Sequence, residues 1–397
     1  MREADDVPTK RAATLLAAAC AALLAHHPIP PSQTPGITRI DLKDYGWQKP
    51  PPVVEPGWSR PPIAIDHAGR VLAGFTTSGA PKLATRGHPS FTYRILRFSP
   101  DGKLDLTLGV PTNNWHDSGL YLDSRGDIVA LAGDELQVLA AARTSDLPPS
   151  RWRLLAPCGP NCEVAQSPSR RTLAVATRLR STMVTVDGHT SESWAMAVML
   201  LDSSTAAGLR VRERCEQQDY QIQDWISDSS SFRTRGGGEY DPALRKYAPP
   251  RRLVSWPLCD YAERTEVPAA ATGAVFPLNG DTVAIAGYDK IAVLSTNGEP
   301  KFVLKMLKGD VAENILASSE DGSRFAIIIS TWRGVVDWLD IGGHIAARRI
   351  AVYDSATGRL VADIPASPKT LPDIAMSPDG HILAILQGHE LTIARIP

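Results

Sequence analysis

The chain has 397 residues, 42 Lys and Arg against 43 Asp and Glu, a formal net charge of −1 and 43% hydrophobic residues. The near-neutral balance excludes a general nucleic-acid binder and a polybasic membrane binder. The hydrophobic share excludes a disordered chain. Its 32 prolines suit short strands and turns better than long helices, because proline lacks the amide donor a helix interior needs.

The N-terminus reads as a sorting signal. Lys10-Arg11 precedes the apolar run AATLLAAACAALLA at residues 12–25. That run is shorter than the ~20 residues needed to span a bilayer but fits a signal-peptide core. Ala19-Cys20-Ala21 has the small-x-small form of a cleavage site, and Pro28 follows as a helix breaker. The competing reading is a short buried helix, and Glu3, Asp5 and Asp6 depart from a purely basic leader. Residues 1–25 are therefore expected to be a signal peptide and 26–35 a linker, with the product exported to the periplasm or the extracellular space. Cleavage is expected after Ala21 or Ala25, or at Cys20 with a lipid anchor there.

Export leaves Cys158, Cys162, Cys215 and Cys259, an even number that allows three pairings. Cys158–Cys162 would close a small turn-rich loop. Cys215–Cys259 would join two apolar-alternating strands. A zinc site is disfavoured, because the C-x₃-C spacing has no histidine near it and no second cysteine pair.

A repeated phrase sets the fold expectation. Turn residues precede a short apolar strand at Asp66–Arg70 (then VLAGF), Asp123–Asp127 (IVALA), Ser169–Arg171 (TLAVAT), Asn279–Asp281 (TVAIA), Asp321–Arg324 (FAIII) and Asp379–His381 (ILAIL). Asp-Gly and Asn-Gly supply the positive φ of tight hairpins. Strands apolar at nearly every position must be buried on both faces, as in stacked propeller blades. A second hairpin follows each, as in IAVYDSATGRLVADI from Ile350 and IAVLSTNGEPKFVLKM from Ile291. A further unit near Asp228 is inferred from spacing alone. The expected fold is an all-β, seven-bladed β-propeller over residues 36–397.

Residues 351–386, AVYDSATGRLVADIPASPKTLPDIAMSPDGHILAIL, resemble the YVTN-type repeat of bacterial β-propellers, with weaker versions at RFSPDG (97–102) and Asp228-Ser229. The resemblance implies the propeller fold and no particular activity. The Gly-His and Trp-Asp marks of WD-type repeats are missing. The last unit is one strand short, so residues 36–42 (GITRIDL) are expected to complete it and close the ring, leaving no open edge. Residues 49–62 then read as a proline-rich crossover into the first blade.

In a propeller, loops between second and third strands share a face with the connections between blades. Those loops are long in the first, third, fourth and sixth units and carry Arg86, His88, Tyr240, Trp332, Arg333, Asp337 and Trp338. The connection into the second unit carries Trp115, His116 and Asp117. Such residues on long loops mark a binding face for a protein, peptide or glycan. Hydrolase, zincin, EF-hand and dinucleotide motifs are absent. The leading expectation is a monomeric binding scaffold without cofactor or transmembrane span. The alternative is a lactonase-, lyase- or dehydrogenase-like propeller with an axial metal, calcium for instance, on Glu163, Glu313 and Asp373.

Overall fold

The computed structural model describes residues 36–49, 61–78, 91–112, 118–133, 135–139, 153–157, 162–186, 189–203, 209–218, 226–235, 240–241, 246–247, 251–287, 289–334 and 343–397. The segments 1–25 and 26–35 and most of the proline-rich crossover lie outside them. The described chain is all-β, with seven blades in a ring. Its helical content is two 3-10 turns, Leu42–Tyr45 and Tyr261–Glu263.

Six blades show four antiparallel strands in the order inner to outer. Blade 1 covers 63–112, blade 2 118–157, blade 3 163–218, blade 5 274–305 and blade 6 310–366. In blade 7 the strands Asp373–Met376, Ile382–Gln387 and Glu390–Arg395 are joined by Gly36–Asp41. Gly36 pairs with Arg395 and Asp41 with Glu390, so the ring closes between the two ends of the chain as the sequence predicts. Leu42 leaves the ladder and starts a 3-10 turn. There its side chain is fully buried beside Ile40, Leu391 and Ile393.

The second strands of blades 2 and 5, Ile128–Ala132 and Thr282–Ala286, are buried at every position, and those of blades 1, 6 and 7 hold a run of buried residues: Val71–Thr76, Phe325–Ser330 and Leu383–Leu386. The flanking sheets cover both of their faces. Blade 4, inferred from spacing alone, is the exception. It has three described strands, Ser230–Arg235, Arg252–Pro257 and Thr265–Pro268, and its innermost position is a single bridge between Ile226 and Ser231. A disulfide between Cys215, on the outer strand of blade 3, and Cys259 ties this blade to its neighbour. Cys162 is also disulfide-bonded, and Cys158 lies outside the described residues.

The repeated turns share one local mechanism. A polar residue at the end of the inner strand accepts amide hydrogen bonds from further along the turn. Asp66 Oδ1 accepts from Ala68 and Arg70, Asp123 Oδ1 from Arg125 and Asp127, and Ser377 Oγ from Ile382. The third residue after it is left-handed: Gly69, Gly126, Gly322 and Gly380 have φ of 74°, 82°, 69° and 72°. In blade 3 that place is held by Arg170, at φ 59°.

Candidate functional site

The inner strands of a propeller run side by side around the axis, so their starts share one end of the channel and their turns share the other. By the same connectivity, the hairpin ends joining second to third strands open toward the end where the inner strands start. A cavity of about 300 Å³ lies on this axis, lined by inner-strand residues of all seven blades. Its walls are mostly apolar, with Ile63, Leu120, Ile226, Phe276, Ile315 and Ile374 among them.

Glu163 and Asp373 both line the cavity and are the first residues of their inner strands. Each lies four residues before its turn serine, Ser167 or Ser377. Glu163 faces Arg178 at 3.7 Å. The Asp373 carboxylate makes no hydrogen bond or ion pair with another described residue. Burial alone pushes its pKa up to about 7.

Glu313 does not join them, which corrects the sequence expectation. Four residues before Ser319, the matching turn residue of blade 6, stands Ile315. Glu313 lies further back, within a register irregularity between Ala312 and Leu316. Its Oε1 accepts the Ser330 hydroxyl at 2.5 Å, and Ser330 Oγ accepts from the buried Arg348 Nε at 3.1 Å. Glu313 thus faces a buried guanidinium through one hydroxyl. Among the described residues, no three His, Cys, Asp or Glu side chains are grouped to hold a metal ion. The trio Glu163, Glu313 and Asp373 is no such group.

Arg170, unremarked in the sequence reading, lies on the cavity wall at the turn end of the channel. Its guanidinium crosses the ring to donate to the Ile65 carbonyl of blade 1 at 2.6 Å and to the Met376 carbonyl of blade 7 at 3.4 Å. Burial lowers its pKa, opposed by the charges of Glu320 and Asp66. A left-handed non-glycine residue costs about 1–2 kcal/mol, and the cross-ring contacts offset that cost. The signal was a missing glycine: the repeat reads Ser-Arg-Arg-Thr where blades 1, 2, 6 and 7 carry Gly69, Gly126, Gly322 and Gly380.

The face opposite the turns carries the extended hairpins. In blade 3, Thr172–Val186 pairs with His189–Asp202 from Thr172↔Asp202 to Val186↔His189. Residues 181–186 and 189–194, expected as loop, are strand. The β-branched residues Thr182, Val184, Thr185 and Val186 in STMVTV (181–186) were the available sign. Beyond the core, Leu179 is 52% and Met183 69% exposed, and Arg178 lies over the Trp194 ring at 5.5 Å. In blade 6, Arg324–Arg333 pairs with His344–Asp354 and brings Trp332, 43% exposed, and the exposed Arg333 to its end. Tyr240 starts a two-residue ladder with Lys246–Tyr247. Arg86, His88, Trp115, His116, Asp117, Asp337 and Trp338 lie outside the described residues.

No family model matches the chain, and no curated protein matches it. Among solved structures it is similar to a chain of one described as "Crystal Structure of Mitotic Checkpoint Complex". The identity is 14%, the match covers 91% of each chain, and the TM-score is 0.47. No helix of the described residues is long and apolar enough to cross a membrane.

Proposed function

We propose that this chain is a non-catalytic β-propeller scaffold of the YVTN-repeat kind that binds a protein, peptide or glycan through its extended-hairpin face. The observation that supports it most is the blade 3 hairpin, which continues as paired strand past the core and presents Leu179 and Met183 to solvent. Exposed apolar groups on a rigid projection favour association, because a partner removes their area from water without ordering a loop. Trp332 and Arg333 on blade 6, on the same face, are residue types that dominate binding energy elsewhere.

Photo-crosslinking tests this reading. A benzophenone amino acid at position 183 is expected to trap a discrete partner that the same group at exposed Arg359, in a turn on the opposite face, does not. Equal trapping at both positions, or none at 183, overturns it.

The reading includes export. The basic pair and apolar run at residues 10–25 support it, as does disulfide bonding at Cys162, Cys215 and Cys259, since such bonds persist in oxidising compartments. N-terminal sequencing of protein recovered from outside the cytoplasm is expected to read from residue 22 or 26, or to be blocked at a lipidated Cys20. An N-terminus at Met1 in all of the mature protein contradicts export.

A further inference from the structure

The axial cavity contains an acid that nothing among the described residues answers. The Asp373 carboxylate lies on its wall, and no described residue gives it a hydrogen bond or an ion pair. A carboxylate held among apolar groups is disfavoured until a partner supplies positive charge and hydrogen-bond donors. Two other acids of the inner ring have such partners: Asp66 is paired with Arg70 at 2.7 Å and Glu163 with Arg178 at 3.7 Å. The apolar wall around Asp373, including Ile63, Ile315 and Ile374, asks for an apolar ligand body rather than a hydrated ion.

Size and charge narrow the choice. The cavity, about 300 Å³, is at the small end of the ligand-pocket range and too small for a folded segment. Calcium takes roughly six to eight oxygens, and among the described residues no group of three acids or histidines is present to begin such a shell. At the turn end stands Arg170, which repels a cation from that side. We infer that the axial channel is a binding site for a small organic ammonium ion with an apolar body, its nitrogen on Asp373 and its body along the apolar inner strands. Glu163, on an inner strand across the ring, adds a second negative charge to the acid end.

The test uses 4-fluorobenzylamine, its neutral isostere 4-fluorobenzyl alcohol and calcium chloride, followed by ¹⁹F NMR and thermal shift on the full chain at pH 8. The amine is expected to bind at least tenfold tighter than the alcohol. Asp373→Asn is expected to weaken the amine at least tenfold and leave the alcohol unchanged. Lowering the pH below about 7 is expected to weaken the amine, because Asp373 is raised to about 7 and becomes neutral there. The other charged groups on the cavity wall are Glu163 and Arg170, and burial is the sole cause of the Asp373 shift.

Folding of the variant is secured by the sign of that shift. A carboxylate raised on folding contributes stability at low pH that is lost as pH rises through its folded pKa. Asp373→Asn removes the disfavoured charge and is expected to melt no lower than the parent at pH 8. Equal affinity for amine and alcohol overturns the site, as does undiminished amine binding by Asp373→Asn or no binding of either compound. Calcium binding that depends on Asp373, with no amine binding, also overturns it. The inference stands apart from the hairpin-face reading: the crosslink at position 183 can fail while the amine binds, and the reverse.

Discussion

A chain that starts at residue 43 is expected to melt far below one that starts at residue 36, or to be recovered only as aggregate. The lost segment supplies six paired residues, Gly36–Asp41, to the last strand of blade 7. It also supplies Ile40 and Leu42 to the core shared with Leu391, Ile393 and Ile65. Burying two such side chains contributes about 3–6 kcal/mol by area alone, a large part of the roughly 5–15 kcal/mol that holds a domain folded. The exposed edge at Glu390–Arg395 becomes a template for pairing with another chain. Ile40→Ala is the milder variant and is expected to cost about 2–4 kcal/mol in denaturant unfolding. Equal melting of the two truncated chains would mean that the ring does not depend on this closure.

Replacing Arg348 by alanine is expected to lower stability by about 3 kcal/mol, the scale for removing one partner from a buried charged network. Arg348 is 5% exposed. It donates from Nε to Ser330 Oγ at 3.1 Å and from one terminal nitrogen to the carbonyls of Ser367, Pro368 and Thr370. It thereby holds the connection from blade 6 into blade 7. Gln387 Nε2 also donates to Ser367 and Thr370, at 2.8 and 2.6 Å, so two of the three carbonyls keep a donor and the cost stays at the lower end. Glu313→Gln retains an acceptor for the Ser330 hydroxyl and is expected to cost less than about 1 kcal/mol. Chemical denaturation decides both. An Arg348→Ala protein within about 0.5 kcal/mol of the parent removes the network from any structural role.

Much of the architecture was legible because its signals are local. Asp-Gly turns place a left-handed residue where an L side chain is disfavoured, and the fully apolar strand after each turn announces burial on both faces. The closing strand was legible from the deficit of the last unit, since a ring with one missing strand leaves an edge. Blade 4 was harder: WISDSSSFRTR (225–235) carries serines where the other units carry apolar strand, and its inner position is a lone bridge. The blade 3 hairpin was misread as loop because Asp187-Gly188 marked a turn, while Arg178, Arg180 and Ser181 interrupted the apolar run and hid that the strands reach it.

The candidate site was legible only in part, for a physical reason. Glu163 and Asp373 could be found as the first residues of two inner strands, because strand starts follow from the repeat register. That Glu313 is not their equivalent depends on a register irregularity, which the sequence does not mark. Arg170 and its carbonyl partners Ile65 and Met376 are separated by 105 and 206 residues, and Glu313 meets Arg348 through a strand between them. The sequence by itself determined the repeat, its turns and the need for a closing strand, because each rests on φ, periodicity and burial within a few tens of residues. Which acid on the channel wall has no partner among the described residues, and which arginine reaches across its far end, was decided by the ring, because only closure brings distant blades to one axis.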